Sequence, residues 1–180
     1  EPTEEIDEDG GWNLIDYIFQ KTNISEFGKS KKTFLPIMMV NYGILNNFEN
    51  YLCANNGMLD YLKCYAHINI KKIPGLSKSN ENELLTYYNK YKNIIIEQID
   101  SYNTQIIIFG LGGGKVFNSI SKDLDLNFDS SKGDSAWYLI KNDKIYINAY
   151  HPSQRKASTN LSKEQYCNDI INCVKEWEMI

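Results

Sequence analysis

The chain has 180 residues, of which 42% are hydrophobic and 23% are charged, and its formal net charge is −4 at pH 7. This length and apolar content are typical of one globular domain with its own core, so residues 1–180 are predicted to form a single domain. The negative net charge excludes a general attraction to nucleic acid, and any DNA binding would depend on a local basic patch.

The cysteines and the N-terminus predict an intracellular protein, cytoplasmic or, in a eukaryote, nuclear. The four cysteines lack the CxxC spacing of a zinc site and the density of a secreted disulfide scaffold, and they are Cys53, Cys64, Cys167 and Cys173. The acidic start EPTEEIDEDGG is the opposite of a signal peptide, and no apolar run is long enough to cross a bilayer. We expect reduced, mostly buried thiols, no metal, no cofactor, no membrane partner and a monomer.

In the first half of the chain, short buried strands are predicted to alternate with helices. GWNLIDYIFQ and NFENYLCANNGMLDYLKC have apolar residues at helical spacing, and the short FLPIMMVNYG between them has the apolar character of a buried segment. CYAHINI, residues 64–70, is predicted to be a strand. Asn80 and Glu83 form a capping signature for a long helix, whose inner face is marked by Leu84, Tyr88, Tyr91, Ile95 and Ile99.

In the second half, TQIIIFG is predicted to be a fully buried strand, followed by a glycine run and a short helix through VFNSISKDL. AWYLI and KIYINAY form a predicted hairpin joined by residues 141–144. A last helix is capped by Ser162 and runs nearly to Trp177. This pattern predicts an α/β fold, a three-layer αβα domain whose central, mostly parallel sheet holds CYAHINI, TQIIIFG and KIYINAY as neighbours.

Ligands bind beyond the carboxyl ends of the strands in such a sheet. Four strand-end loops are therefore candidates, at residues 1–5, 69–75, 110–115 and 150–156. GLGGGK at 110–115 suggests a phosphate cradle, but it matches neither GxGxxG nor a P-loop, which would need glycine at Phe109 and Ser or Thr at Val116. A tight strand-to-helix crossover is the favoured interpretation, with a Rossmann-like nucleotide binder as a minor alternative.

The other three loops resemble the motifs of the uracil-DNA glycosylase superfamily. Glu1-Pro2 stands where that family has an acidic residue and proline, HINIKKIPG resembles its asparagine loop, and NAYHPSQRK resembles its HPS loop. The resemblance implies a uracil-DNA glycosylase-like domain whose first strand lies upstream of residue 1. It also implies hydrolysis of the N-glycosidic bond of a flipped uracil or related damaged base in DNA. The cysteine spacings do not match the iron–sulfur sites of some members.

The resemblance assigns the chemistry to particular residues. Cleavage makes a cationic sugar and an anionic base, so Glu1 would place negative charge near the sugar or orient the attacking water, and His151 would donate a hydrogen bond to the base. The amide of Asn69 would read one pyrimidine edge, and Trp12 would stack on the extruded base. Ser153 of the HPS motif is also placed at the substrate.

Basic residues near two of these motifs are predicted to hold DNA. Arg155, the chain's only arginine, and Lys156 would bind phosphates beside the flipped nucleotide, and Gln154 would fill the vacated stack. Lys72, with Lys71 and Lys78, would extend the phosphate-binding path.

Structural and non-catalytic interpretations stand beside these assignments. His151 could simply cap a strand end, Asn69 could tie a turn together, and Trp12 could belong to the core. His67, on the same strand face as Asn69, is interpreted as a structural histidine. The pocket could also belong to a module that binds a base, a nucleotide or modified DNA without cleaving it, and the acidic pI of about 5.2 favours that alternative.

Overall fold

The computed structural model describes residues 14–71, 80–128, 130–132, 135–153 and 162–180. Within these residues the α-helices are α1 (Leu14–Phe19), α2 (Lys31–Leu45), α3 (Glu81–Ser101), α4 (Lys115–Asp123) and α5 (Lys163–Glu178). The strands are β1 (Ile106–Gly110), β2 (Ser130–Lys132), β3 (Ala136–Lys141) and β4 (Lys144–Ala149). Two 3-10 segments, Ile24–Ser30 and Asn56–Cys64, flank α2.

Side-chain caps determine where the two longest helices begin. The amide oxygen of Asn80 accepts a hydrogen bond of 2.8 Å from the backbone N–H of Glu83. The hydroxyl of Ser162 accepts one of 3.0 Å from the backbone N–H of Gln165. Each bond satisfies one of the donors that a helix leaves unpaired in its first turn. Both predicted caps are confirmed.

The four strands form a small mixed sheet in the order β1-β4-β3-β2. Only β1 and β4 run parallel, whereas the β3–β4 and β2–β3 pairs are antiparallel. Asn142 and Asp143 have φ of 53° and 59° and join β3 to β4. Two successive positive φ values are typical of a type I′ hairpin turn. The predicted hairpin is therefore confirmed.

The predicted three-layer αβα domain around a mostly parallel sheet is wrong. Helices dominate the described residues, and one parallel pair is all that the small sheet contains. TQIIIFG supplies β1, which lies at one edge of the sheet rather than inside it, and Ile108 is 37% exposed there. The short apolar segment FLPIMMVNYG was expected among the buried strands, and it lies inside the helix α2 instead.

CYAHINI is not part of the sheet either. After Cys64 ends the second 3-10 segment, residues 65–69 have no regular secondary structure. The side chains of residues 67–70 nevertheless alternate in burial as they would in a strand. Ile68 and Ile70 pack against a buried cluster, while His67 and Asn69 are exposed. The alternation in the sequence therefore reports a segment that lies on the core and pairs with no strand among the described residues.

Two buried apolar clusters hold these elements together. The first joins α2, both 3-10 segments and α5 to alternate residues of β4, Ile145, Ile147 and Ala149. The second joins α3 and α4 to Phe109 of β1, with Tyr146 of β4 packed against it. Because successive residues of a strand face opposite sides, the sheet contributes to both clusters. It thereby fixes the position of the loops that follow β1 and β4.

Two predictions can be compared with the structure: that the thiols are reduced and mostly buried, and that no segment crosses a bilayer. All four cysteines are free, with Cys167 and Cys173 buried and Cys53 and Cys64 exposed, so the expectation of mostly buried thiols is met by only one pair. Across the described segments, no helix has both the length and the apolar character that crossing a bilayer requires.

Candidate functional site

Two loops meet at the carboxyl ends of β1 and β4. Because these strands are parallel and pair Gly110 with Ala149, the residues that follow them leave the same edge of the sheet. The backbone N–H of Gly112 donates to the carbonyl of Ala149 at 2.8 Å. A Cβ on Gly110 would lie 3.6 Å from Pro152 Cδ. We call residues 110–114 the glycine loop and residues 150–153 the HPS loop.

The HPS loop fixes the tautomer of His151. The backbone N–H of Ser153 donates to His151 Nδ1 at 3.2 Å, and the Ser153 hydroxyl lies 2.7 Å from the same nitrogen. A backbone N–H can only donate, so Nδ1 is an acceptor and the neutral ring carries its proton on Nε2. Residues of one loop thus hold the imidazole as an Nε2–H donor.

His151 is kept neutral as well as oriented. His151 is exposed, but the protein atoms around its ring partly desolvate the imidazolium, and the nearby imidazole of His67 disfavours a second positive charge. Both effects hold the pKa of His151 below its ordinary value of 6.5. The side chain is therefore an uncharged donor at neutral pH.

The side chain of Asn69 contacts that of His67. His67 Nε2 and Asn69 Oδ1 lie 3.0 Å apart, and both side chains are exposed. His67 is also near enough to His151 to act on its charge. His67, Asn69, His151 and Ser153 form what we call the histidine cluster. Its groups can donate and accept hydrogen bonds.

The glycine loop does not offer a free phosphate cradle. The first backbone N–H of α4, that of Lys115, donates to a carboxylate oxygen of Glu81 at the start of α3. The Lys115 ammonium also donates to Asn82 Oδ1 at 3.1 Å. A Cβ on Gly114 would overlap the Glu81 carboxylate, so this glycine admits an internal anion. The tight-crossover interpretation is favoured over the nucleotide-binding alternative.

We expect Glu81→Ala to lower the free energy of unfolding by about 1 kcal/mol, because it removes a carboxylate cap from the start of α4. Glu81→Gln, which keeps an oxygen acceptor and loses the charge, should have a smaller effect. Urea unfolding measures both variants. If Glu81→Ala instead kept full stability and gained affinity for inorganic phosphate, the loop would be a cradle after all.

Asn148 of β4 is a polar residue that the sequence analysis missed. It is 2% exposed, and its amide donates to the carbonyl of Gly112 at 2.7 Å. Its Oδ1 is buried without a hydrogen-bond partner among the described residues. The position of this asparagine between two apolar residues of a predicted buried strand, Ile147 and Ala149, could have indicated a buried polar group. Its amide ties the glycine loop to β4.

The remaining predicted site residues are placed as follows. Glu1, Trp12, Lys72, Gln154, Arg155 and Lys156 lie outside the described residues, as does Lys78. Lys71 is described, and its ammonium pairs with Glu83 at 2.7 Å and lies 5.3 Å from the ring centroid of Tyr87. Lys71 is therefore committed to contacts within the protein. Of the predicted set, Asn69, His151 and Ser153 are also described: Ser153 contacts His151, and Asn69 contacts His67.

Comparisons with protein-family models, with curated proteins and with solved structures found no match for this chain. The resemblance to the uracil-DNA glycosylase superfamily accordingly rests on the three loop motifs. In the described part of the chain, no group of three or more His, Cys, Asp or Glu side chains is placed to hold a metal ion. The chemistry of the histidine cluster has to be argued from its hydrogen-bonding groups.

Proposed function

We propose that this chain hydrolyses the N-glycosidic bond of a flipped uracil or related damaged base in DNA, in the manner of a DNA glycosylase. The observation that carries the proposal is the state of His151, a neutral imidazole whose Nδ1 accepts from Ser153 and whose proton is on Nε2. Because the predicted fold is wrong, the proposal rests on this site and on the loop motifs.

A neutral donor suits the leaving group of this reaction. The base departs with the electrons of the glycosidic bond and becomes an anion, so a fixed N–H strengthens its interaction with the base as the bond breaks. A charged imidazolium would be protonated on Nδ1 and could not accept from Ser153. Holding the pKa of His151 low therefore keeps the donor in its oriented form.

Recognition and the attack of water are assigned to other residues. Asn69 reads the edge of the base, and Ser153 orients His151. Glu1 supplies the carboxylate that stabilises the sugar cation or orients water, and Trp12 stacks on the base. Arg155, Lys156 and Lys72 bind phosphates, and Gln154 fills the vacated stack. The partner is DNA with a modified base, and the proposed protein acts as a monomer without a cofactor.

A second candidate is a module that binds a base or modified DNA without cleaving it. One observation favours it: every described group of the histidine cluster is suited to hydrogen bonding, and His151 Nδ1 is occupied by Ser153 rather than open to take a proton from water. Binding requires only these groups, whereas hydrolysis also requires a carboxylate such as Glu1.

The test is excision from labelled oligonucleotides that contain uracil, hypoxanthine or a thymine mismatch, in single and double strands. Treatment with alkali reveals abasic sites on a denaturing gel. We expect strand breaks at one or more of these bases. Selective binding without breaks would support the second candidate. Neither breaks nor selective binding would contradict both.

A further inference from the structure

We propose that His67 is a specificity-determining positioning residue, which holds the amide of Asn69 so that its N–H groups face the bound base. The identity of that base rests on the proposed function. His67 contacts Asn69, so its effect on the choice of base is exerted through that amide. Its effect on the pKa of His151 is the same whichever base is bound, so the ratio between two bases isolates the contact with Asn69.

The contact between the two side chains has a defined direction. Asn69 Oδ1, which lies 3.0 Å from His67 Nε2, can only accept a hydrogen bond. Nε2 of His67 is therefore the donor. The amide is planar and has its oxygen and its nitrogen on opposite sides of Cγ, so fixing the oxygen toward His67 directs Nδ2 away from it.

His67 is itself attached to the core through neighbouring residues. Ile68 and Ile70 pack into the second apolar cluster, which leaves His67 and Asn69 together on the outer side of the segment. The rings of Tyr65 and His67 meet edge to face with centroids 6.2 Å apart, and Tyr65 packs against the first cluster. Both ends of the contact are thus placed by partly buried side chains that pack against the two clusters.

A fixed Nδ2 selects for a class of base. Uracil and thymine carry at C4 an oxo group that accepts hydrogen bonds, as hypoxanthine does at C6, whereas cytosine carries at C4 an amino group that donates them. With Oδ1 held by His67, Asn69 offers a donor to that position and favours uracil, thymine and hypoxanthine over cytosine. Without His67 the amide can rotate by half a turn and offer its oxygen to cytosine, so discrimination between the two classes should weaken.

The experiment compares His67→Leu with His67→Gln, because the glutamine amide restores an N–H donor of similar reach. Single-turnover excision and anisotropy binding are measured on matched oligonucleotides with uracil or cytosine at one position. We expect His67→Leu to lower the uracil rate and the uracil-over-cytosine ratio about fivefold, the value of one hydrogen bond of about 1 kcal/mol. His67→Gln should regain most of both. Unchanged ratios in His67→Leu would overturn the proposal.

A readout that needs no catalysis separates this proposal from the glycosylase assignment. The side-chain amide of Asn69 is followed in ¹⁵N spectra, assigned with Asn69→Asp. In the parent and in His67→Gln we expect ¹⁵N relaxation to report a rigid Nδ2 group, and in His67→Leu we expect a lower order parameter because the side chain rotates about Cβ–Cγ. If the parent cleaves no base, the glycosylase proposal fails by itself, and the order parameters with the binding ratio still decide the position of His67. Order parameters that are identical in all three proteins would contradict the orienting contact.

Discussion

Replacing His151 by Ala should lower the single-turnover rate of base excision by about 100- to 1,000-fold, the effect of removing one donor from a developing anion. The loss should fall on the chemical step, because the Nε2–H gains most when the base becomes negative. Affinity for undamaged DNA should change little. Rapid-quench excision and anisotropy binding measure the two quantities separately.

Two further variants serve as controls for His151→Ala. Ser153→Ala removes the hydroxyl at 2.7 Å but keeps the backbone N–H that makes Nδ1 an acceptor, so its rate should fall by less than about tenfold. Arg155→Ala should weaken DNA binding and reduce its salt dependence by about one phosphate contact, while sparing single-turnover chemistry. A parallel loss of thermal stability and of both functions in His151→Ala and Arg155→Ala would show that the loop is only structural.

The pH profile gives His151→Ala a signature that a packing defect would not produce. The oriented donor is the neutral imidazole, and burial together with His67 lowers the pKa of His151 from 6.5. Activity of the parent should therefore be complete at neutral pH and decline only as the pH falls below that ordinary value. In His151→Ala this acid limb should disappear. If His151→Ala kept the same decline of activity at acid pH, a group other than His151 would be responsible for it.

Local signals predicted the parts of the fold that depend on neighbours in sequence. The caps at Asn80 and Ser162 and the turn at residues 142–143 each involve residues within three positions of one another. The sheet was predicted wrongly because its order depends on distant pairings. The apolar run of α2 buries Phe34, Leu35, Met38, Met39 and Val40, and a helix buried on several sides has no clear 3.6-residue period.

In the candidate site, too, contacts between neighbours in sequence could be predicted and contacts between distant residues could not. Ser153 orients His151 across two residues of one motif, so the HPS sequence contained the information. Glu81 reaches the N–H of Lys115 across 34 positions, and no periodicity reports such a contact. His67 was interpreted as a structural histidine, and its contact with Asn69 was not predicted. That contact depends on a segment that lies outside the sheet. The partly buried Ile68 and Ile70 hold that segment against the second apolar cluster.

Replacing Asp169 by Ala should destabilise the protein by about 3 kcal/mol, because it leaves two buried donors without an acceptor. Asp169 lies in α5 and is 7% exposed, while Ser135, just before β3, is fully buried. One carboxylate oxygen, Oδ2 of Asp169, accepts from the Ser135 backbone N–H at 2.9 Å and from its hydroxyl at 2.7 Å. These bonds join the last helix to the start of the hairpin that carries the HPS loop.

The matched control is Asp169→Asn, in which the single amide oxygen can take the place of Oδ2 and accept both bonds. We expect it to lose about 1 kcal/mol, since charge-assisted bonds are stronger than neutral ones. Ser135→Ala, which removes the hydroxyl and keeps the backbone N–H, should also lose about 1 kcal/mol. For a chain of this size a loss of about 3 kcal/mol lowers the melting temperature by roughly 6–12 °C. Equal melting temperatures for Asp169→Ala and Asp169→Asn would show that the acceptor at this position does not hold α5 to the sheet.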